Sequence, residues 1–162
     1  MLIRPARPSE FDAVGQLTVE AYTVDGHLDA TADYVEELRD AQSRAVGAQL
    51  LVALEREGAP VLGTVTFCLA GTPYAELARC GEAEFRMLAV APEARKRGVG
   101  HQLVAHCVEL AKGASCSGLV LCSLESMVAA QRIYGRFGFQ RTPERDWEPV
   151  PGLSLLAFLL PL

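Results

Sequence analysis

Residues 95–100 of the chain, Arg-Lys-Arg-Gly-Val-Gly, combine three cations with two glycines where an apolar strand pattern ends and an amphipathic helix pattern begins. Cations at a helix N-terminus oppose the helix macrodipole, which carries roughly half a positive charge there. An anion bound at the helix start would resolve this conflict, because the free backbone N–H groups and the cations would then bind it together. Glycines also let the backbone approach a ligand closely. The segment therefore predicts a phosphate-binding loop.

Two common glycine-loop patterns do not fit this segment. A P-loop ends in Gly-Lys-Ser or Gly-Lys-Thr, and the sequence contains no such tripeptide. The dinucleotide-binding pattern G-x-G-x-x-G would begin at Gly98, but Leu103 occupies its third glycine position.

A third pattern fits in full and is joined by a second motif. The first motif is Arg95-x-x-Gly98-x-Gly100, preceded by Leu-Ala-Val-x-Pro at residues 88–92, and the second is A-x-x-x-Y-x-x-x-G-F at residues 130–139. Together they resemble the acyl-CoA signature and the following helix of the GNAT N-acetyltransferase superfamily, and the resemblance covers roughly residues 84–139. It implies one α/β domain over residues 1–162, with a mixed, mostly antiparallel central sheet, helices on both faces, and a splay between the fourth and fifth strands.

The resemblance also implies an acetyl-CoA site. The residues that would contact the cofactor are Leu88, Ala89, Val90, Arg95, Lys96, Arg97, Gly98, Val99, Gly100, His101, Ser126 and Tyr134. Backbone N–H groups of residues 97–101 would bind the pyrophosphate, and residues 88–90 would pair with the pantetheine arm. Many family members carry Asn where this chain has Met127, which cannot donate the corresponding hydrogen bond. Ser123 and Ser126 are the candidates to replace it.

Three catalytic roles follow from the resemblance. The Leu88 N–H would polarise the thioester carbonyl. Tyr134 would be the general acid that protonates the departing sulfur. Glu84 would be the general base, acting through a water molecule, and Glu82 is the second candidate for that role. Two structural alternatives stay open: Tyr134 as a packing residue, and Glu84 in a surface ion pair with Arg86. Strand alternation would place Glu84, Arg86, Leu88 and Val90 on one face, unless a bulge intervenes.

Periodicity and turn residues predict the elements that position these groups. We expect strands at 2–4, 49–54, 61–69, 84–90, 119–122 and 153–160, and helices at 10–22, from 31, at 99–112 and from 126 to 137. Ser9 and Ser126 are the predicted caps at the starts of the first and last helices, and Gly138 is the predicted cap at the end of the last. Tyr34, Val35, Leu38 and Ala41 should share one face of the second helix. The apolar tail is predicted to be a strand that completes the sheet, and because it is unusually apolar for an edge we expect it to be covered, with a second subunit of a homodimer as one candidate.

Composition excludes several classes of protein. The net charge of −5 argues against a nucleic-acid partner, and no apolar run approaches the roughly 18 residues of a membrane span. Five cysteines without a C-x-x-C pair argue against a disulfide framework, and no metal-ligating constellation is present. The N-terminus lacks a signal-peptide pattern. We therefore expect a cytoplasmic protein.

The leading hypothesis is an enzyme that transfers acetyl from acetyl-CoA to a primary amine of a small molecule or peptide, by direct attack in a ternary complex. A non-catalytic acyl-CoA sensor and an acyltransferase that uses another acyl-CoA are the alternatives. The net negative charge of the chain favours a cationic acceptor. Candidate acceptor-site residues are Tyr22, His27, Tyr34, Tyr74 and Trp147.

Overall fold

A seven-stranded sheet forms the centre of the molecule. The computed structural model describes residues 1–24, 26, 32–149 and 152–162. The strands are β1 (Leu2–Pro5), β2 (Gln49–Leu54), β3 (Gly63–Leu69), β4 (Glu82–Val90), β5 (Gly118–Leu124), β6 (Gln140–Arg141) and β7 (Leu155–Pro161). Their order is β1-β2-β3-β4-β5-β7-β6, and every neighbouring pair is antiparallel except the parallel pair β4–β5. The predicted mixed, mostly antiparallel sheet is confirmed.

Helices cover both faces of this sheet. They are α1 (Phe11–Val24), α2 (Ala32–Arg39), α3 (Ala41–Gly47), α4 (Val99–Gly113) and α5 (Val128–Phe137). The neighbouring β3 residues Thr66 and Phe67 show the two layers, because successive side chains of a strand point to opposite faces. Thr66 contacts Arg44 of α3, whereas Phe67 lies opposite Phe85, whose ring packs on Tyr134 of α5.

Two predicted cap residues, Ser9 and Ser126, are wrong, although α1 begins within one residue of the predicted Glu10. Ser9 lies inside a 3-10 turn (Pro8–Glu10) that precedes α1, and the Glu10 carboxylate accepts a hydrogen bond from the Arg7 N–H at 2.8 Å. The start of α5 likewise has Met127, not Ser126, as its N-cap residue. Gly138 ends α5 in the left-handed conformation, with φ of 88°, as predicted.

The second predicted helix is two helices. Asp40 separates α2 from α3, because its carboxylate accepts a hydrogen bond from the Ser43 N–H at 2.9 Å and so caps a new helix. Ala41 therefore belongs to α3 and not to the helix that carries Leu38. The predicted start at Thr31, and His27, lie outside the described residues.

Arg44 joins these helices to the sheet from a fully buried position. Its Nη2 donates to the Leu38 carbonyl at 2.8 Å and to Thr18 Oγ1 at 3.3 Å, and its Nη1 donates to Thr66 Oγ1 at 3.4 Å. Burial lowers the pKa of this guanidinium. The three contacts fix the end of α2 against α1 and β3.

Strands β4 and β5 separate after a short paired segment. Their register has three pairs, Glu82 with Gly118, Ala83 with Leu119 and Glu84 with Val120, although β4 continues to Val90 and β5 to Leu124. The splay predicted between the fourth and fifth strands is confirmed.

A bulge in β4 follows the splay. Arg86 lies opposite Thr66 but Ala89 lies opposite Thr64, so β4 has one residue more than β3 in this segment. Met87 takes up the extra residue with a left-handed φ of 52°. Val90 lies opposite Gly63, and Arg86 lies opposite Thr66, three residues further along β3. The side chains of Val90 and Arg86 therefore point to opposite faces of the sheet. The expectation that residues 84, 86, 88 and 90 share one face is wrong.

The apolar tail forms an internal strand. β7 pairs with β5 along Leu155–Pro161 and with the two-residue strand β6 on its other side. The prediction that this strand is covered is confirmed, with β6 as the covering strand, and the homodimer stays a prediction.

An ion pair fastens the segment after β6 to the start of β4. Arg145 donates two hydrogen bonds to the Glu82 carboxylate, at 2.7 and 2.8 Å, and the two side chains are only 8% and 11% exposed. The Arg145 hydrogen bonds lower the pKa of Glu82. Main-chain bonds between Trp147 and Leu155 continue the attachment.

Gly63 sets the distance between β3 and α4. A Cβ at this position would lie 2.8 Å from Val99 Cγ1 and 2.9 Å from the Ala89 carbonyl oxygen. We predict that Gly63→Ala lowers the free energy of unfolding by about 2–3 kcal/mol, because the backbone oxygen must move. In Gly113→Ala, where a Cβ meets nothing within 4 Å, we expect a change of less than about 1 kcal/mol. Urea unfolding measures both, and equal effects would contradict the packing argument.

The Glu82–Arg145 pair predicts a pH-dependent stability. A carboxylate with a lowered pKa stabilises the fold above its unfolded pKa of 4.5, and this contribution is lost as the pH falls through the lower folded pKa. Glu82→Gln should therefore cost about 2–4 kcal/mol at neutral pH, and less at about pH 3. Urea unfolding at both pH values measures the difference. Glu109→Gln, in an exposed pair with Lys112, should cost less than about 0.5 kcal/mol at either pH. A Glu82→Gln effect that does not change with pH would contradict the assignment.

Candidate active site

A cleft of about 780 Å³ lies between the end of β4, the start of α4, one face of α5 and the end of α1. Ten of the predicted site residues line it: residues 88–90, 95–96 and 98–101, and Ser126. The structure therefore brings most of the predicted cofactor-binding residues together. Arg97, Tyr134 and Glu84 are not among the lining residues.

The start of α4 presents backbone N–H groups to this cleft. Gly98 is the N-cap residue in the left-handed conformation, with φ of 81°, and no side chain caps the helix start within the described part of the chain. The first turn contains no acidic residue. A glycine is needed here because other residues rarely adopt this φ. The helix dipole and the N–H groups are thus available to an anion.

The charges that line the cleft are all positive. Arg95, Lys96, Arg132 and Arg136 line it, and no carboxylate does so among the described residues. This local excess contrasts with the net charge of −5 of the whole chain. The arrangement favours an anionic ligand with several phosphate groups.

Arg132 and Arg136 are site residues that the sequence reasoning missed. They lie four residues apart on α5 and therefore share a face of the helix. That spacing was visible in the sequence, but nothing in it showed that this face lines the cleft. Arg97, in contrast, turns away and binds the Glu55 carboxylate.

Tyr134 lies in an aromatic cluster beneath the cleft. Its ring centroid is 5.8 Å from that of Phe85 and 5.9 Å from that of Phe139, and the residue is only 4% exposed. Burial raises the pKa of the phenol, and the nearby Cys122 thiol adds to this effect. The structure thus supports the packing role, and the phenol also stays protonated.

Glu84 is an anchor for the loop that precedes β4. Its Oε2 accepts hydrogen bonds from the N–H groups of Glu76, Leu77 and Ala78, at 2.9, 2.7 and 3.0 Å. The residue is fully buried, and its Oε1 has no partner among the residues described here. The alternative of a surface pair with Arg86 is wrong, because Arg86 binds Glu76 instead. Glu82 is bound to Arg145, as described above.

Leu88 follows the bulge residue Met87 and lines the cleft. Neither Met87 nor Leu88 has a partner in the β3–β4 register. The bulge therefore directs this part of the β4 backbone towards the cleft and not along the ladder.

The predicted acceptor-site tyrosines have different surroundings. Tyr22 lines the cleft, and burial raises its pKa. Burial also raises the pKa of Tyr34, to about 12. Tyr74 packs on α3, where a Cβ at Gly47 would lie 2.8 Å from the Tyr74 ring.

Trp147 lies beside Cys122. Its indole nitrogen is buried and outside hydrogen-bond geometry with any partner among the described residues. Burial raises the pKa of the Cys122 thiol to about 11, and the neighbouring Trp147 acts in the opposite direction. All five cysteines are free.

No group of histidine, cysteine or carboxylate side chains in the described residues could hold a metal ion. None of their helices has the length and apolar character that crossing a membrane requires.

The chain is similar to acetyltransferases in sequence and in fold. Residues 46–141 match the family model of the acetyltransferase (GNAT) domain. An uncharacterised N-acetyltransferase of Schizosaccharomyces pombe is 28% identical over 149 residues, which cover 90% of this chain and 86% of the relative. A GNAT-family acetyltransferase from Staphylococcus aureus Mu50 has a similar structure, with a TM-score of 0.77 at 16% identity over 99% of this chain and 98% of that chain.

A GNAT-family acetyltransferase from Brucella melitensis, solved in complex with acetyl-CoA, is similar with a TM-score of 0.60 at 26% identity, over 86% of this chain and 82% of that chain. The family model spans more than half of the sequence. The cleft, the splayed strands and these matches agree, and this protein belongs to the GNAT family of acetyltransferases.

Proposed function

We propose that the protein transfers the acetyl group of acetyl-CoA to a primary amine of a small molecule or peptide, by direct attack in a ternary complex. The observation that carries this proposal is the cleft at the uncapped start of α4, which four cations and no described carboxylate line. The acetyl-CoA complex of the Brucella melitensis relative supports the choice of ligand.

The lining residues fit the parts of acetyl-CoA. In this proposal, the N–H groups of residues 98–101 bind the pyrophosphate, with Arg95 and Lys96 beside them. Arg132 and Arg136 supply positive charge from the opposite wall for the remaining phosphate. Backbone groups of residues 88–90 pair with the pantetheine amides. Ser126 lines the cleft beside Met127, and we propose that it replaces the missing amide contact.

Charge develops at three atoms during the reaction: the carbonyl oxygen, the departing sulfur and the attacking amine nitrogen. Bound acetyl-CoA supplies a thioester, whose C–S bond breaks as the amine nitrogen forms a bond to the carbonyl carbon. The Leu88 N–H donates to the carbonyl oxygen as negative charge develops there, which is worth roughly 3–4 kcal/mol in measured cases. Tyr134 is the proposed acid for the departing sulfur and would act from beneath the cleft wall, and burial, which raises the pKa of its phenol, makes it a weaker acid than an exposed tyrosine.

The amine must lose a proton as it attacks. We retain Glu84 as the proposed base, acting through a water molecule. Its Oε1 has no partner among the described residues, whereas its Oε2 is occupied by the three loop N–H groups. Glu82 is not part of the proposal, because Arg145 binds its carboxylate twice.

We also propose a reducing, cytoplasmic setting. The support is the cysteine set, which has an odd number of members, all of them free.

Binding of acetyl-CoA tests the proposal directly. A ligand at 100 times its Kd stabilises the folded state by about 2.7 kcal/mol, so the thermal midpoint should rise by several degrees. Arg132→Gln and Arg136→Gln should each weaken binding by roughly threefold to tenfold, and added salt should reduce this difference. Arg56→Gln removes the same charge from an exposed turn and should leave the affinity unchanged. The absence of any shift at saturating acetyl-CoA would contradict the proposal.

Tyr134→Phe separates an enzyme from a binding module. We expect kcat for amine-dependent thiol release to fall about 100-fold, because the phenol proton is lost. The Kd for acetyl-CoA should change by less than about twofold, since the ring contacts of Tyr134 remain and the ring does not line the cleft. Calorimetry and a thiol assay measure the two quantities. Unchanged kcat would remove Tyr134 from the mechanism.

A further inference from the structure

Three residues other than glycine have a left-handed backbone in the described part of the chain. They are Met87, with φ of 52°, Lys96, with φ of 61°, and Ser115, with φ of 56°. A residue with a Cβ is strained in this conformation, because the Cβ crowds the following carbonyl oxygen. Lys96 lines the cleft, and Met87 immediately precedes the lining residue Leu88. Such strain persists only where the surrounding structure or the function requires it.

Packing explains the identity of Met87 but not that of Lys96. Met87 is only 5% exposed and belongs to the hydrophobic core. Lys96 is exposed, and its side chain has no ion pair or hydrogen bond within the described residues. Its neighbour Arg97, in contrast, binds Glu55. Neither core packing nor a surface ion pair therefore accounts for a lysine at position 96.

The turn at residues 95–98 has the shape of an anion-binding loop. Lys96 and Gly98 are both left-handed, and Gly98 is the N-cap residue of α4. Left-handed residues in a turn direct successive backbone N–H groups into a concavity that binds anions. Glycine would adopt this conformation at position 96 without strain, as it does at position 98. The lysine side chain therefore adds a cost that the shape of the loop does not require.

The charge of Lys96 adds a second cost in the free protein. Lys96 lies between Arg95 and Arg97 in the sequence and two residues before the N-cap of α4, where the helix dipole disfavours a cation. No carboxylate lines the cleft among the described residues, so none there balances this charge. A phosphate group in the cleft would turn the same charge into a favourable interaction.

We propose that Lys96 is a specificity-determining residue for the phosphates of the acyl donor and that it is retained at the expense of the stability of the free protein. Its ammonium binds a donor phosphate, and this contact offsets both the backbone strain and the charge repulsion. The acetyl group takes no part in the contact. The inference rests on the proposed function, and it assigns to one side chain opposite effects on folding stability and on donor affinity.

The test measures the thermal midpoint of the free protein and the Kd for acetyl-CoA in the same variants. Lys96→Gly removes strain and charge together, so the midpoint should rise by about 1–3 °C while the Kd increases roughly threefold to tenfold. Lys96→Gln removes only the charge, so it should weaken binding to a similar extent while its midpoint rises less. Lys96→Arg keeps both the charge and the strain, and its Kd should stay within about twofold of that of the wild type.

Ser115→Gly is the matched control for the strain. Ser115 is exposed, follows the C-cap residue of α4 and does not line the cleft. Its replacement should raise the midpoint by about 1–3 °C and leave the Kd unchanged. A wild-type Kd in Lys96→Gly or Lys96→Gln would overturn the phosphate contact. A midpoint of Lys96→Gly no higher than that of Lys96→Gln would overturn the assignment of strain.

CoA without the acetyl group provides a second measurement. It should show the same loss of affinity in Lys96→Gln as acetyl-CoA, because the phosphates of the two ligands are identical. A loss confined to acetyl-CoA would contradict a phosphate contact. If acetyl-CoA fails to stabilise the wild-type protein, the proposed function fails. If acetyl-CoA stabilises the wild type but binds Lys96→Gln equally well, only the role of Lys96 fails.

Discussion

The short parallel pairing between β4 and β5 is the constraint on which the rest of the structure depends. After three residue pairs the strands separate, and the bulge at Met87 turns the remainder of β4 away from its former register. Backbone groups that an unbroken ladder would occupy are thereby directed towards a ligand. The same divergence leaves space for α4 and α5 to face each other across the cleft. Without the divergence, the residues of the two sequence motifs would line no common cavity.

Carboxylates hold the region around this divergence in place. Glu84 fixes the loop at residues 76–78 on one side, and Glu82 fixes Arg145 and the segment that carries Trp147 on the other. Positive and negative side chains are also separated in this region. Cations line the cleft, and two glutamates, Glu37 and Glu76, pair with Arg86 on β4. A domain with a net negative charge thus has a cleft whose described charged lining residues are all cations.

Features encoded locally were predictable from the sequence. Strand β2 has the predicted bounds, and α4 begins at the predicted Val99, because apolar periodicity and a glycine mark both positions. The splay followed from family resemblance rather than from any residue pattern. The Met87 bulge has no glycine to indicate it.

Features that depend on distant partners could not be read from the sequence. Arg97 lies in the motif, yet it binds Glu55, a residue 42 positions away. Glu84 has the residue type of a base, but its role depends on three N–H groups of an irregular loop. Tyr134 matches the motif and also fills the aromatic core, and periodicity cannot separate the two roles. The break at Asp40 was missed because α2 and α3 together maintain an apparent helical period, although the side chain of Asp40 caps a new helix.

The buried Arg44 has a consequence for how the position of α2 can change over evolution. Its bond to the Leu38 carbonyl holds the end of α2, and Glu37 is the residue immediately before Leu38 in the chain. The position of a surface carboxylate is therefore set by an arginine in the core, through one backbone bond. A substitution at Arg44, or at Thr18 or Thr66, would displace α2 without touching any ligand. Divergence among homologues in the core of this layer would then move α2, while the cleft at the start of α4 stays the same.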